Sequence, residues 1–96
     1  MNDQVKIKEL TIRIDEVLYY LWDPIGISDE PNARGEYSSY VNSILNLVIN
    51  EKVEKIADRL SEIETKLMEL PNNSEKNKMI AERLVQDKHA IQEGLK

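Results

Sequence analysis

An acidic segment that follows Trp22 contains the side chains best suited to chemistry in this sequence. It holds four carboxylates and one guanidinium, namely Asp23, Asp29, Glu30, Glu36 and Arg34. Hard cations bind such oxygen ligands, but the segment lacks the alternating Asp or Asn ligands and the closing Glu of a calcium-binding loop. Arg34 is also well placed to neutralise a carboxylate. The sequence therefore predicts a salt-bridged structural loop, with a carboxylate metal-binding or hydrolytic site in residues 23–36 as the alternative.

The residue types around this segment predict an ordered turn. Asp23, Pro24 and Gly26 occupy the first, second and fourth positions that a type I turn favours. The aromatic residues of the chain lie within or beside the segment, and Trp22 is expected to be a buried plug against the first two helices. The predicted structural loop consists of Trp22, Asp23, Pro24, Gly26, Asp29, Arg34 and Tyr37.

The other residue types exclude most further chemistry. The sequence has no cysteine and one histidine, His89, so it can form neither a disulfide framework nor a thiolate metal site. It contains no Gly-rich phosphate loop and no nucleophile elbow. We therefore predict a non-enzymatic protein with no catalytic residue, no cofactor and no metal ligand, in which His89 is partly exposed.

The spacing of apolar residues predicts the helices that carry these side chains. In the first predicted helix, residues 3–21, Val5, Ile12 and Tyr19 fall on one side at intervals of seven. Two explanations fit this stripe: the helix is the centre of the bundle and is covered on both sides, or the stripe contacts a partner chain. The opposite side has the spacing of a core-facing stripe, formed by Ile7, Leu10, Ile14, Val17, Leu18 and Leu21.

The second predicted helix, residues 37–50, has fourteen consecutive residues without a charge. An uncharged polar face costs less to desolvate than a charged one, so a partner could cover it. The β-branched and aromatic content leaves a strand as the alternative for part of this segment. The candidate partner surface combines residues of both helices: Val5, Ile12 and Tyr19 with Ser39, Asn42 and Asn46.

Two further helices complete the predicted fold. Residues 52–70 have the most regular apolar stripe, and residues 71–74 end this helix and supply an Asn or Ser cap for the next. In the last helix, Asp87 and Lys88 interrupt the apolar stripe. Short connections favour neighbouring helices that pack together. The sequence predicts one all-α domain over residues 1–96, a compact bundle of four helices.

Charge and composition limit the partners. The net charge of −5 opposes binding to a phosphate backbone. No apolar run approaches the roughly 18 residues that a membrane span needs. The lack of cysteine and of a signal-like N-terminus predicts a cytoplasmic protein. We expect a protein partner, or a second copy of the chain in a homodimer, and neither nucleic acid nor membrane.

The order of residues around Trp22 resembles a known family. Residues 19–27 read Tyr-Tyr-Leu-Trp-Asp-Pro-Ile-Gly-Ile, and with the acidic loop and segment 36–41 they resemble the YugE-like group of small bacterial proteins of unknown function. The resemblance covers about residues 18–70 and implies a small all-helical domain in a bacterial cytoplasm, with no activity to transfer. In that family, acidic residues often stand where Gly35 and Ser38 are here.

These features together predict a protein–protein interaction module. Its two candidate surfaces lie on the first and second predicted helices and cost little to desolvate. One specific form would be an immunity-type inhibitor, a small acidic protein that neutralises a basic toxin. The alternative, from a different functional class, is a carboxylate metal-binding or hydrolytic site in residues 23–36.

Overall fold

Four helices account for most of the computed structural model, which describes residues 4–23, 37, 39–67 and 69–94. Helix α1 covers Gln4–Val17 and continues into a π-helical turn at Leu18–Trp22. Helix α2 covers Val41–Ile49. Helix α3 covers Val53–Glu62 and continues into a second π-helical turn at Ile63–Leu67, and helix α4 covers Ser74–Gln92. The described residues contain no strand, so the all-α fold is confirmed and the strand alternative for part of residues 37–50 is wrong.

We call helix α4 central because it makes the most extensive contacts with the other three helices. Helix α2 also touches all three of the others, whereas α1 packs mainly against α2 and α4. The outer side of α1 is not covered, because Val5 is 64% exposed and Ile12 is 52% exposed. The explanation in which α1 is covered on both sides is therefore wrong. The fully buried core combines residues of all four helices: Leu10, Ile14, Leu18, Ile44, Val48, Ile56, Leu60, Ile63 and Leu84.

The central position of α4 explains the two charges that interrupt its apolar stripe. Asp87 and Lys88 are both buried and both paired. Asp87 Oδ1 accepts hydrogen bonds from Arg13 at 3.4 Å and from Arg83 at 3.2 Å. Lys88 Nζ donates to Glu51 Oε2 at 2.9 Å. A helix covered on several sides must bury much of its circumference, and buried charges persist only with such partners.

The π-helical turn at the end of α1 changes which side chains face the core. The Asp23 N–H bonds to the carbonyl oxygen of Leu18 at 2.9 Å, an i to i+5 hydrogen bond that adds one residue to the turn. Trp22 is consequently fully buried, while Leu21 is 46% exposed. The prediction of Trp22 as a buried residue is confirmed, and the placement of Leu21 in the core stripe is wrong because it assumed α-helical geometry throughout.

Caps close the start of α4 and the end of α2. Asn73 caps α4, since its side chain accepts a hydrogen bond from the Lys76 N–H at 3.3 Å. Helix α2 ends in a Schellman motif, in which the N–H of Lys52 bonds to the Leu47 carbonyl at 3.1 Å and Glu51 adopts a positive φ of 55°. None of the described helices has the length and apolar content needed to cross a membrane.

Candidate functional site

The two candidate partner surfaces meet in one groove between α1 and α2. Ile12 and Asn42 both line this groove, which has a volume of about 280 Å³. Asn42, Ser39 and Asn46 are exposed, as the uncharged pattern of α2 predicts. The groove is lined by Thr11, Ile12, Asp15, Val41 and Asn42. We call the surface around it the α1–α2 face, which also includes the exposed residues Val5, Ser39 and Asn46.

Tyr19 does not belong to the α1–α2 face, although its spacing placed it with Val5 and Ile12. It is only 3% exposed and is part of the hydrophobic core. Its ring makes an edge contact with Tyr20, with ring centroids 4.8 Å apart. Tyr19 lies at the end of α1 next to the buried residues Val17 and Leu18, where the packing differs from that around the exposed Ile12 one stretch earlier on the helix. The placement of Tyr19 on an exposed partner surface is therefore corrected.

A buried polar cluster joins the two π-helical turns through α4. The indole N–H of Trp22 donates to Asn77 Oδ1 at 2.9 Å. The Asn77 amide in turn donates to Glu64 Oε1 at 2.5 Å and to Ser61 Oγ at 3.0 Å. Asn77 is fully buried and Glu64 is 3% exposed. Each polar group of the Asn77 side chain is thus satisfied, which fixes the orientation of the Trp22 ring.

Sequence reasoning identified Trp22 but missed Asn77 and Glu64. Asn77 precedes Ile80 by three residues and Leu84 by seven, so it occupies a core position of α4. An Asn at a core position signals a buried hydrogen-bond partner, and this signal was present in the sequence. The identity of the partner was not, because Trp22 lies 55 residues away.

A cavity of about 300 Å³ opens beside this cluster. Asp23 has a positive φ of 30° there, and its Oδ1 accepts a hydrogen bond from the Tyr37 hydroxyl at 2.7 Å. The Tyr37 ring packs against Trp22, with centroids 5.6 Å apart. The described residues contain no group of three or more His, Cys, Asp or Glu side chains able to hold a metal. The cavity is lined by Asp23, Glu64, Leu70, Pro71, Asn72, Asn73 and Lys76.

Most of the predicted acidic loop lies outside the described residues. Of the seven predicted loop residues, Trp22, Asp23 and Tyr37 are described, and they contact one another as stated above. The ion pairs predicted for Arg34 and the cation site proposed as an alternative stay predictions. The remaining residues named for this loop, Pro24, Gly26, Asp29, Glu30, Arg34 and Glu36, lie outside the described part of the chain.

A further polar cluster, formed by Glu51, Lys88 and His89, connects the α2–α3 turn to α4. Glu51 Oε1 lies 2.6 Å from His89 Nε2, and Glu51 Oε2 accepts a hydrogen bond from Lys88 at 2.9 Å. The hydrogen bond from Lys88, and next that from His89, lower the pKa of the Glu51 carboxyl below its usual value. His89 is exposed at the rim of this cluster, as expected. The positive φ of Glu51 is unusual for a non-glycine residue, and its side chain makes two contacts with α4 from that position.

Comparisons of the chain with protein-family models, with curated proteins and with solved structures find no match. The resemblance to the YugE-like group therefore stays a prediction, and function is argued from the surfaces described above.

Proposed function

We propose that this protein is a non-enzymatic interaction module that buries its α1–α2 face against a second copy of itself. The observation that carries the proposal is the position of Ile12. Its side chain is about half exposed and also lines the groove shared with Asn42. A cytoplasmic location fits the absence of cysteine from the sequence.

The composition of the α1–α2 face favours burial. No charged residue occurs in residues 37–50, so covering α2 removes no ionised group of that helix from water. Asp15 of α1 also lines the groove and is already partly buried, which limits the extra desolvation that a partner would cause. Val5 and Ile12 supply exposed apolar area on α1, and removing such area from water contributes roughly 25 cal/mol per Å².

A closed twofold dimer suits this geometry. In such a dimer the same surface is used by both copies, so each must present both a projecting group and a groove. The α1–α2 face has both, because Ile12 projects beside the groove that it lines with Thr11 and Asn42. One copy can therefore place its Ile12 in the groove of the other.

Sedimentation equilibrium at micromolar concentrations tests this arrangement. The unaltered chain should be a dimer, and Ile12→Glu should be a monomer with unchanged helical circular dichroism, since it places a charge in the interface and not in the core. Met79→Glu is the matched control, because Met79 is an exposed apolar residue on α4, at 70% exposure. A monomeric unaltered chain, or equal effects of the two substitutions, would contradict the proposal.

A further inference from the structure

A second exposed apolar patch lies where the π-helical turn of α1 meets α4. Tyr20 is 57% exposed, Leu21 is 46% exposed and Met79 is 70% exposed. The π-helical turn gives the patch its position, because it directs Trp22 into the core and leaves Leu21 outside. The α1–α2 face does not include these residues.

The patch continues into two grooves that share a wall. One groove, of about 220 Å³, runs from Arg13 past Tyr20 to Leu21 and Arg83. The other, of about 290 Å³, runs from Leu21 and Arg83 to Met79. Because Leu21 and Arg83 line both, the grooves form one surface. We call it the α1–α4 seam, formed by Arg13, Glu16, Val17, Tyr20, Leu21, Lys76, Met79, Ile80 and Arg83.

The charges of the α1–α4 seam are opposite in sign to those of the whole chain. The chain has a net charge of −5, whereas the described residues that line the seam include three basic residues and one acidic residue, Glu16. Of the basic residues, Lys76 also lines the cavity beside Asp23 and Glu64. Asp87 lies beneath the seam, 7% exposed, and pairs with Arg13 and Arg83. Each arginine has five N–H donors, so pairing with one carboxylate oxygen positions the side chain and leaves donors for a ligand. The Arg83 side chain remains 50% exposed.

We propose that the α1–α4 seam binds an acidic amphipathic helix of another protein. Apolar side chains at i, i+4 and i+7 of that helix would fill the two grooves on either side of Leu21. Its flanking carboxylates would pair with Lys76 and Arg83, which are seven residues apart on α4, about two helical turns. Met79 suits such a contact because its flexible side chain adapts to different apolar partners. A membrane surface is a poorer occupant, since the separate grooves on either side of Leu21 suit individual projecting side chains better than a flat surface.

The test selects peptides from a displayed library of random helical sequences, using the intact chain as the target. Selected peptides should combine apolar residues at helical spacing with an excess of Asp and Glu. Fluorescence anisotropy then compares their affinities for the unaltered chain and for four variants. Lys76→Glu and Met79→Ser should each weaken binding by about tenfold, as expected for a rim charge reversal and the loss of an apolar anchor.

Lys78→Glu is the matched control, because Lys78 is exposed, lies two residues from Lys76 and undergoes the same change in charge. It should change affinity by less than about twofold. The proposal is overturned if the selected peptides show no excess of Asp and Glu. It is also overturned if Lys78→Glu lowers the peptide affinity as much as Lys76→Glu does, or if Ile12→Glu abolishes peptide binding. Binding of the chain to phosphatidylserine vesicles that Lys76→Glu removes would overturn it in favour of a membrane.

Discussion

The hydrogen bond between Trp22 and Asn77 is expected to be a principal determinant of stability. It connects the π-helical turn of α1 to helix α4, and the side chains of both residues are fully buried. Trp22→Phe retains an aromatic ring but removes the N–H donor. Trp22→Ala removes the ring as well. The two variants therefore separate the contribution of the hydrogen bond from that of packing.

The structure sets the expected magnitudes. Loss of the indole N–H leaves Asn77 Oδ1 buried without this donor, which costs about 1–3 kcal/mol. The smaller phenylalanine ring adds a packing loss, so Trp22→Phe should lower the free energy of unfolding by about 2–4 kcal/mol. Trp22→Ala leaves a cavity beside Tyr37 and should cost about 3–5 kcal/mol or more. A domain of 96 residues has a total stability of roughly 5–14 kcal/mol.

Urea unfolding followed by far-ultraviolet circular dichroism measures these differences, because both variants lack the only tryptophan. Trp22→Phe should lower the urea midpoint by about 1–3 M. Leu21→Ala is the control: Leu21 is the neighbouring residue of the same turn and is half exposed, so its loss should cost about 1 kcal/mol.

An unchanged urea midpoint for Trp22→Phe would refute the role assigned to the hydrogen bond. A cost for Leu21→Ala equal to that for Trp22→Ala would refute the reasoning about the π-helical turn. In that case both side chains would contribute equally to the core, as an uninterrupted α-helix would require.

The remaining predictions concern the polar clusters. Asn77→Asp places a second carboxylate 2.5 Å from Glu64 and should destabilise the protein by about 3 kcal/mol at neutral pH. This loss should shrink as the pH falls and the two carboxyls share a proton; a loss independent of pH would contradict the expectation. Because the pKa of Glu51 is lower in the folded than in the unfolded state, its contribution to stability should be present above its unfolded pKa and lost as pH falls through its folded pKa. Glu51→Gln should therefore be less stable than the unaltered chain at neutral pH and equally stable in acid. Urea unfolding at each pH measures this difference in stability. A difference that persists in acid would show that the pairing of Glu51 with Lys88 and His89 is not its cause.

The sequence alone indicated the four helices and the cap with which α4 begins. Helical periodicity depends on residues three and four apart, and the Asn73 cap depends on a residue three positions away, so both are visible in a short window. The uncharged character of α2 was likewise visible in the sequence. The spacing on α1 left two explanations open for Ile12, and the structure decided that its side chain is exposed.

Only the tertiary structure decided which helix is central and which aromatic side chains are buried. The π-helical turn places Trp22 inward and Leu21 outward, and the sequence pattern did not reveal that shift or the burial of Tyr19. The same holds for the charges of α4. Asp87 meets Arg13 across 74 residues of sequence, and periodicity carries no information about contacts at that separation. Distant partners satisfy the polar atoms of the buried Asn77 side chain, whereas Arg13 reaches only Asp87 Oδ1 and leaves Asp87 Oδ2 buried without a hydrogen bond from the described residues. The packed fold alone brings these partners together.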